Sequence, residues 1–259
     1  MAQETLLKTA LIVMSDVVPP SVRTAIIPGR SYGDIEPILD YVAVLYRRGE
    51  LDQIILPGVD GQTFNGVEKY KANAGMSAWA RHLDMLQVDV NGAVSFSGVG
   101  YNTKAETDAQ LQFLSDYRGL AWVKEAREKG VRLIAHPQQL ARGMLGVVKQ
   151  MNQTGDLLKV YPNYPVQTDW EAVIRGPQGA EAKPRSSNVQ DEFKRIVPYQ
   201  DKGDLASYGE LLDYYRWRDG GSLKPLQQRI REMKGDPQFV KDWEVVSGQI
   251  QNLPIPGRK

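Results

Sequence analysis

The sequence predicts an α/β fold in which helices flank a doubly wound, mostly parallel sheet. Two observations lead to this prediction: short apolar runs, and segments of helical periodicity between them. Continuous apolar runs of four or five residues are typical of strands with both faces covered. Alternation of such strands with helices favours a parallel sheet between two layers of helices.

Five strands are predicted in the first 165 residues, at 24–27, 53–56, 93–96, 131–135 and 158–161. The clearest helix between them has apolar residues at i, i+3, i+4 and i+7, and Gly49 follows where a helix end is expected. The same spacing recurs, less clearly in its last instance. The three stripes are Ile38-Tyr41-Val42-Leu45, Met76-Trp79-Ala80-Leu83 and Ala109-Gln110-Phe113-Leu114. The expected architecture is a Rossmann-like three-layer sandwich.

The chain changes character after Pro165. Residues 167–184 are rich in Gly, Pro and polar side chains, and 185–188 are polar too. Helical spacing resumes at Leu205 and predicts three C-terminal helices. We therefore divide the chain into an α/β core (1–165), a loop-rich insertion (166–204) and C-terminal helices packing on the core (205–259).

Composition excludes several function classes. The 259 residues contain no cysteine and two histidines, His82 and His136, which excludes disulfides, thiol nucleophiles and Cys- or His-rich metal sites. With 32 Lys+Arg against 31 Asp+Glu, a bulk electrostatic nucleic-acid binder is not expected. No apolar segment approaches the ~20 residues of a membrane span, and no signal peptide is recognisable. We expect a cytoplasmic protein without nucleic-acid or membrane partners.

Ligands of open parallel sheets bind beyond the carboxyl ends of the strands. Gly29 and Arg30 follow the first predicted strand, and Gly58, Asp60 and Gly61 follow the second. Glycine lets a ligand approach the backbone, and free N–H groups at a helix start attract anions. Neither turn matches a phosphate-binding or dinucleotide fingerprint, and ordinary tight turns are the alternative interpretation.

Asn102, Thr103 and Glu106 follow the third strand. Thr103 and Glu106 have the spacing of a capping box, which explains much of this motif without a ligand. If these side chains also face the crevice, Glu106 would act as a general base or a metal-coordinating carboxylate.

His136 follows the fourth strand, where a histidine can perform acid–base work near neutral pH. Arg142 is expected within the next helix, where it would hold a phosphate or carboxylate. Structural roles for both residues are the alternative.

The segments 25–29, 54–61, 102–103 and 133–142 together resemble the DUF218 family, which includes YdcF, SanA and ElyC. That family has a strand ending in Gly-Gly, a second ending in Ser-Gly-Gly, an Asn-Thr-x-Glu-Asn-like motif and a His-x-x-Arg motif. The resemblance covers residues 23–165, and Glu210 resembles part of the family's last helix. It implies an α/β fold with a pocket for a nucleotide-type ligand.

The chain departs from the family pattern and looks like a divergent member. Pro57 and Gly100 replace two of the family's serines, and Ala105 falls at the Glu position with Glu106 at the Asn position. Gln139 replaces the motif histidine, whereas Arg142 keeps its place. His136 lies one helical turn earlier and is a candidate substitute. The resemblance assigns Gln139 and Arg142 to the ligand site.

Three functional hypotheses follow. The first is a protein that binds a small phosphorylated or nucleotide-type ligand, with glycine N–H groups and Arg142 on the anion and Asn102 on a hydroxyl or amide. The second is a non-catalytic interaction protein, motivated by the lost histidine and by aromatic residues favoured at interfaces: Tyr208, Tyr214, Tyr215 and Trp217. The third is a metal-assisted hydrolase using Asp34, Asp60 and Glu106. The reaction, cofactor and oligomeric state stay open.

Overall fold

The computed structural model of the protein describes residues 2–29, 34–58, 75–98, 103–165, 167–175 and 181–254. The strands of its central sheet are β1 (Thr24–Ile26), β2 (Gln53–Leu56), β3 (Val94–Phe96), β4 (Val131–Ile134) and β5 (Val160–Asn163). Their spatial order is β3-β2-β1-β4-β5, and every neighbouring pair runs parallel. The predicted α/β fold with a parallel, helix-flanked sheet is confirmed.

The strand bounds differ little from the predicted ones, except at β5. This strand begins two residues later than expected and continues through Pro162, which pairs with Leu133 of β4. A proline is tolerated here because β5 lies at the edge of the sheet and has only one neighbouring strand.

Side chains of the central strands alternate between two hydrophobic clusters. Ala25 and Ile27 belong to one cluster and Ile26 to the other, as the two-residue period of a strand requires. In β2, Ile54 and Ile55 likewise belong to different clusters. Both faces of the sheet are therefore apolar and covered, which explains the continuous apolar runs of the sequence.

The helices of the first 165 residues are α1 (Ala2–Met14), α2 (Glu36–Arg47), α3 (Gly75–Met85), α4 (Val90–Ala93), α5 (Thr103–Asp116), α6 (Ala121–Lys129) and α7 (Pro137–Thr154). Apolar residues of α2 and α3 belong to the cluster on one face of the sheet, and those of α1, α5, α6 and α7 to the cluster on the other. The sequence patterns do not predict α1 or α6. In α1 the buried residues Leu6, Ala10 and Val13 do have helical spacing, but Lys8 and Thr9 interrupt the apolar run.

The chain reverses its direction of travel across the sheet between β1 and β4. From β1 it proceeds to β2 on one side, and from β4 it proceeds to β5 on the other, although β1 and β4 are neighbours. Such a topological switch point opens a crevice at the carboxyl ends of the two strands.

The prediction that residues 166–204 are loop-rich is wrong for its second half. An antiparallel hairpin of β6 (Val173–Arg175) and β7 (Ala182–Pro184) leads directly into α8 (Arg185–Asp201). Beyond the polar start at Arg185, Val189, Phe193 and Ile196 form a buried stripe at helical spacing. The polar first turn conceals this stripe in the sequence.

The chain ends with α9 (Tyr208–Arg218), α10 (Lys224–Met233) and α11 (Pro237–Gln251). Their buried apolar residues belong to the same cluster as those of α1 and α7. Tyr214 and Tyr215 are buried in this cluster, whereas Trp217 is 42% exposed. The aromatic residues of α9 thus pack mainly inside the protein. None of the described helices combines the length and apolar character that crossing a membrane requires.

Candidate functional site

At the switch point, polar residues follow β1 and β4. Beyond β1 the chain passes through Gly29, and it is described again from Asp34. Beyond β4 it passes through His136, which precedes the first residue of α7, Pro137. These segments meet because parallel strands end at the same edge of the sheet.

Asp34 lies at the centre of a buried cluster. The His136 Nε2 atom lies 2.7 Å from the Asp34 backbone oxygen and 3.2 Å from its Oδ1. Gln139 Nε2 donates to Asp34 Oδ2 at 3.2 Å, and Arg185 Nε donates to Oδ1 at 3.3 Å. The four residues are only 4%, 1%, 7% and 1% exposed, in the order Asp34, His136, Gln139 and Arg185. Three segments distant in sequence thus share one carboxylate.

Several buried polar atoms of this region have no hydrogen-bond partner within the described part of the chain. They are His136 Nδ1, Gln138 Oε1 and Nε2, Gln139 Oε1, Arg185 Nη2 and Asn188 Nδ2. A buried polar group left unpaired costs about 1–3 kcal/mol, and native structures contain few of them. Their concentration near the carboxyl end of β4 is the feature expected of a site that binds a polar ligand.

Gly29 and Glu106 form a second contact at this edge. The Gly29 N–H donates to Glu106 Oε2 at 3.1 Å, and both residues are buried. A Cβ atom at Gly29 would lie 2.7 Å from Trp79 Cη2 and 3.0 Å from Glu106 Oε1. The close packing of Trp79 and Glu106 therefore requires glycine at this position. Glu106, the predicted base, holds the backbone beyond β1.

The packing around Gly58 explains why a glycine occupies this position. A Cβ atom there would lie 2.1 Å from the backbone oxygen of Ser97, just beyond β3. Packing of the two strand ends accounts for this glycine, and its contact with a ligand stays a prediction.

Arg142 lies within α7, and its Nε donates to Glu192 Oε2 of α8. Arg185, Asn188 and Glu192 are three or four residues apart on α8, and all three are buried. This spacing puts them on one side of that helix. Polar groups of α7 and α8 therefore meet beside the Asp34 cluster.

The remaining predicted site residues lie outside the described ranges. They are Arg30, Asp60, Gly61 and Asn102. Thr103 begins α5, but its side chain is not described.

The sequence reasoning missed three residues of this region, Arg185, Gln138 and Asn188. Gln138 lies between two predicted positions and was detectable as a neighbour of the strand end. Arg185 and Asn188 follow the hairpin and have no recognisable motif. Across the described ranges, no group of three or more His, Asp or Glu residues is arranged to hold a metal ion.

Comparisons with known proteins returned no match: no family model, no curated protein and no solved structure is significantly similar to this chain. Its functional interpretation therefore depends on the site itself. That site combines an arginine nitrogen and amide groups able to donate with a histidine nitrogen and amide oxygens able to accept.

Proposed function

We propose that the protein binds a small phosphorylated or nucleotide-type ligand at the carboxyl-terminal edge of the sheet, between β1 and β4. The observation that carries this proposal is Arg185 Nη2, a buried guanidinium nitrogen without a partner among the described residues. An anionic oxygen at this nitrogen would remove the penalty of burying it unpaired. The switch point is also where sheets of this topology bind their ligands.

The other nitrogens of Arg185 hold its side chain in place. Nε donates to Asp34, and Nη1 donates to the backbone oxygen of Asp169. A guanidinium fixed in this way presents its remaining N–H groups in one direction, in the planar geometry that suits phosphate and carboxylate. The amino end of α7 adds partial positive charge at the same edge.

The preference for a phosphorylated ligand over another anion also draws on the resemblance to the DUF218 family. Membership of that family is part of this proposal, as are a cytoplasmic location and the lack of a nucleic-acid partner, both expected from the sequence. Gly29, Gly58, Gln139 and Arg142 are proposed to line the same site, and Glu106 and His136 to supply its acid–base groups.

Thermal denaturation with AMP, ribose 5-phosphate and inorganic phosphate, and with adenosine as the phosphate-free reference, tests the proposal. We expect at least one phosphate compound to stabilise the protein, by about 2.7 kcal/mol at a 100-fold excess over its Kd. Adenosine should stabilise it much less. Failure of all three phosphate compounds would contradict the proposed function.

Two arginine variants separate binding from folding. Arg185→Gln should abolish stabilisation by the phosphate compounds. Arg132 is similarly buried but lies on the amino-terminal side of the sheet, where it donates to the backbone oxygens of Val22 and Glu50. Arg132→Gln should lower the melting temperature and retain the ligand response. Loss of the response in both variants would indicate a general folding defect.

A further inference from the structure

We infer that His136 is a hydrogen-bond acceptor of this site, and that its ligand carries a hydroxyl group close to the anionic group. This inference rests on the proposed function and specifies the class of ligand: a hydroxylated phosphate, such as a sugar or polyol phosphate, in preference to a bare one. It is carried by the contacts of the two imidazole nitrogens.

The contacts of Nε2 define the neutral tautomer of His136. Nε2 lies 2.7 Å from the backbone oxygen of Asp34 and 3.2 Å from its carboxylate Oδ1. A carbonyl oxygen and a carboxylate only accept hydrogen bonds, so Nε2 must carry the hydrogen. In the neutral ring Nδ1 then has a lone pair and no hydrogen. The second nitrogen is therefore an acceptor.

That acceptor is buried, and no group among the described residues donates to it. Asp34 Oδ1 lies 3.2 Å from His136 Nε2 and accepts a hydrogen bond from Arg185 Nε at 3.3 Å. His136 Nδ1 belongs to the same imidazole ring as the Nε2 that contacts this oxygen. Arg185 Nη2 belongs to the same guanidinium group as the Nε that donates to it. An unpaired acceptor and an unpaired donor thus lie on two side chains joined by one carboxylate.

A single ligand satisfies both atoms if it has an anionic oxygen for Arg185 and a donor for His136. A fully ionised phosphate has oxygens that only accept, so it pairs with Arg185 and leaves Nδ1 without a donor. A hydroxyl group on the carbon chain of a phosphate ester supplies the missing hydrogen. Hydroxylated phosphates should therefore bind more tightly than phosphates that lack a hydroxyl group.

The tautomer is measurable without a ligand. The chain has only two histidines, so long-range 1H–15N correlation spectra of the ring nitrogens contain two sets of signals. A His82→Gln variant assigns them, because His82 lies elsewhere, beside Asp40. At about pH 8, where histidine is normally neutral, we expect hydrogen on Nε2 of His136. Hydrogen on Nδ1 would overturn the inference.

The ligand class is tested by isothermal titration with glycerol 3-phosphate and methyl phosphate, which lacks a hydroxyl group. We expect the wild-type protein to bind glycerol 3-phosphate about three- to tenfold more tightly, the effect of one hydrogen bond. Equal affinities would overturn the inference and leave the proposed function intact. Absence of binding for both compounds would count against the proposed function as well.

His136→Gln removes the acceptor at the Nδ1 position, because the amide oxygen and nitrogen of glutamine both lie at the far end of the side chain. A glutamine amide nitrogen reaches about as far as Nε2 and can still donate to the backbone oxygen of Asp34, but it has no atom at the Nδ1 position. We expect this variant to bind both phosphates with equal affinity, close to that of wild type for methyl phosphate. A retained preference for glycerol 3-phosphate would show that another group recognises the hydroxyl. The wild-type measurements remain decisive if the variant does not fold.

Discussion

Asp34 joins side chains that the sequence separates widely, and this explains which site residues were predictable. His136 and Gln139 follow the end of β4 directly, so strand prediction alone brings them to the site. Arg185 is 151 residues from Asp34, and its position depends on the hairpin that precedes α8. No local pattern reports such a contact, and the sequence therefore predicts His136 and Gln139 at this position but not the buried Arg185.

Gly58 offers a test at the level of a single atom. A methyl group there would meet the Ser97 backbone oxygen, so we expect Gly58→Ala to destabilise the protein by about 1–3 kcal/mol, as for other overpacked positions. Urea denaturation measures the change. Gly98→Ala is the matched control, since its Cβ would lie 3.7 Å from that of Ala109 and should change stability by less than about 1 kcal/mol. Equal effects would contradict the packing argument.

At the scale of elements, α9 is attached to the core by one buried arginine. Arg218 donates to Asp16, which follows α1, and to Asp219, and its side chain and that of Asp16 are fully buried. The guanidinium carbon lies 4.4 Å from the ring centres of both Tyr161 and Tyr215. Charge pairing and cation–π contacts together connect α9 with α1 and β5.

Arg218→Ala should therefore destabilise the protein by about 3 kcal/mol, because Asp16 stays buried and keeps only Arg229, whose Nε lies 3.3 Å from Asp16 Oδ1, as a charged partner. Arg216→Ala, two residues earlier on the same helix, is the control. Its ion pair with Asp213 is exposed, and its loss should change stability by no more than about 1 kcal/mol. Chemical denaturation of both variants measures the difference, and a mild effect of Arg218→Ala would show that the pairing is dispensable.

The same cluster predicts sensitivity to acid. Burial alone would raise the pKa of the Asp219 carboxyl, but hydrogen bonds and charge from Arg218 and Arg229 outweigh it and hold this pKa below its usual value of 3.8. A carboxyl whose pKa is lower in the folded state stabilises the protein above about pH 4, and this stabilisation is lost as the pH falls. The free-energy difference between wild type and Asp219→Asn should therefore shrink from pH 7 to pH 3. A difference independent of pH would refute the assignment.

Elements were predictable where the sequence shows both an apolar stripe and a clear end. The stripe of α2 is followed by Gly49, and that of α9 by Gly220 and Gly221, and all three glycines have positive φ. By contrast, the first turn of α8 is polar and gives no signal that a helix begins there. The sequence of these 17 residues therefore predicts a loop. Composition averaged over a segment conceals a helix whose apolar residues begin in its second turn.

At the scale of the whole molecule, alternation of strands and helices predicts a parallel sheet but not its strand order. Order depends on which side each crossover helix covers, and that is decided by contacts between distant segments such as β1 and β4. The sequence therefore predicts a sheet that has a switch point, whereas the location of this point between β1 and β4 follows only from the structure.

The C-terminal helices share their hydrophobic cluster with α1 and α7. A chain that ends at residue 204 would expose this apolar surface, and we expect it to lack a cooperative unfolding transition. Circular dichroism during urea denaturation of the fragment and of the full chain compares the two. A sigmoidal transition of the fragment would instead define residues 1–204 as an independent folding unit.

The distance along the chain between Asp34 and Arg185 also has a consequence for biosynthesis. Ribosomes add about 5–20 residues per second, so roughly 8–30 s pass between the synthesis of these two residues. All five strands of the central sheet are made before Arg185. A nascent chain can therefore pair its strands before Arg185 has been made. A ligand that needs Arg185, as the proposed function requires, therefore cannot act on the early assembly of the sheet.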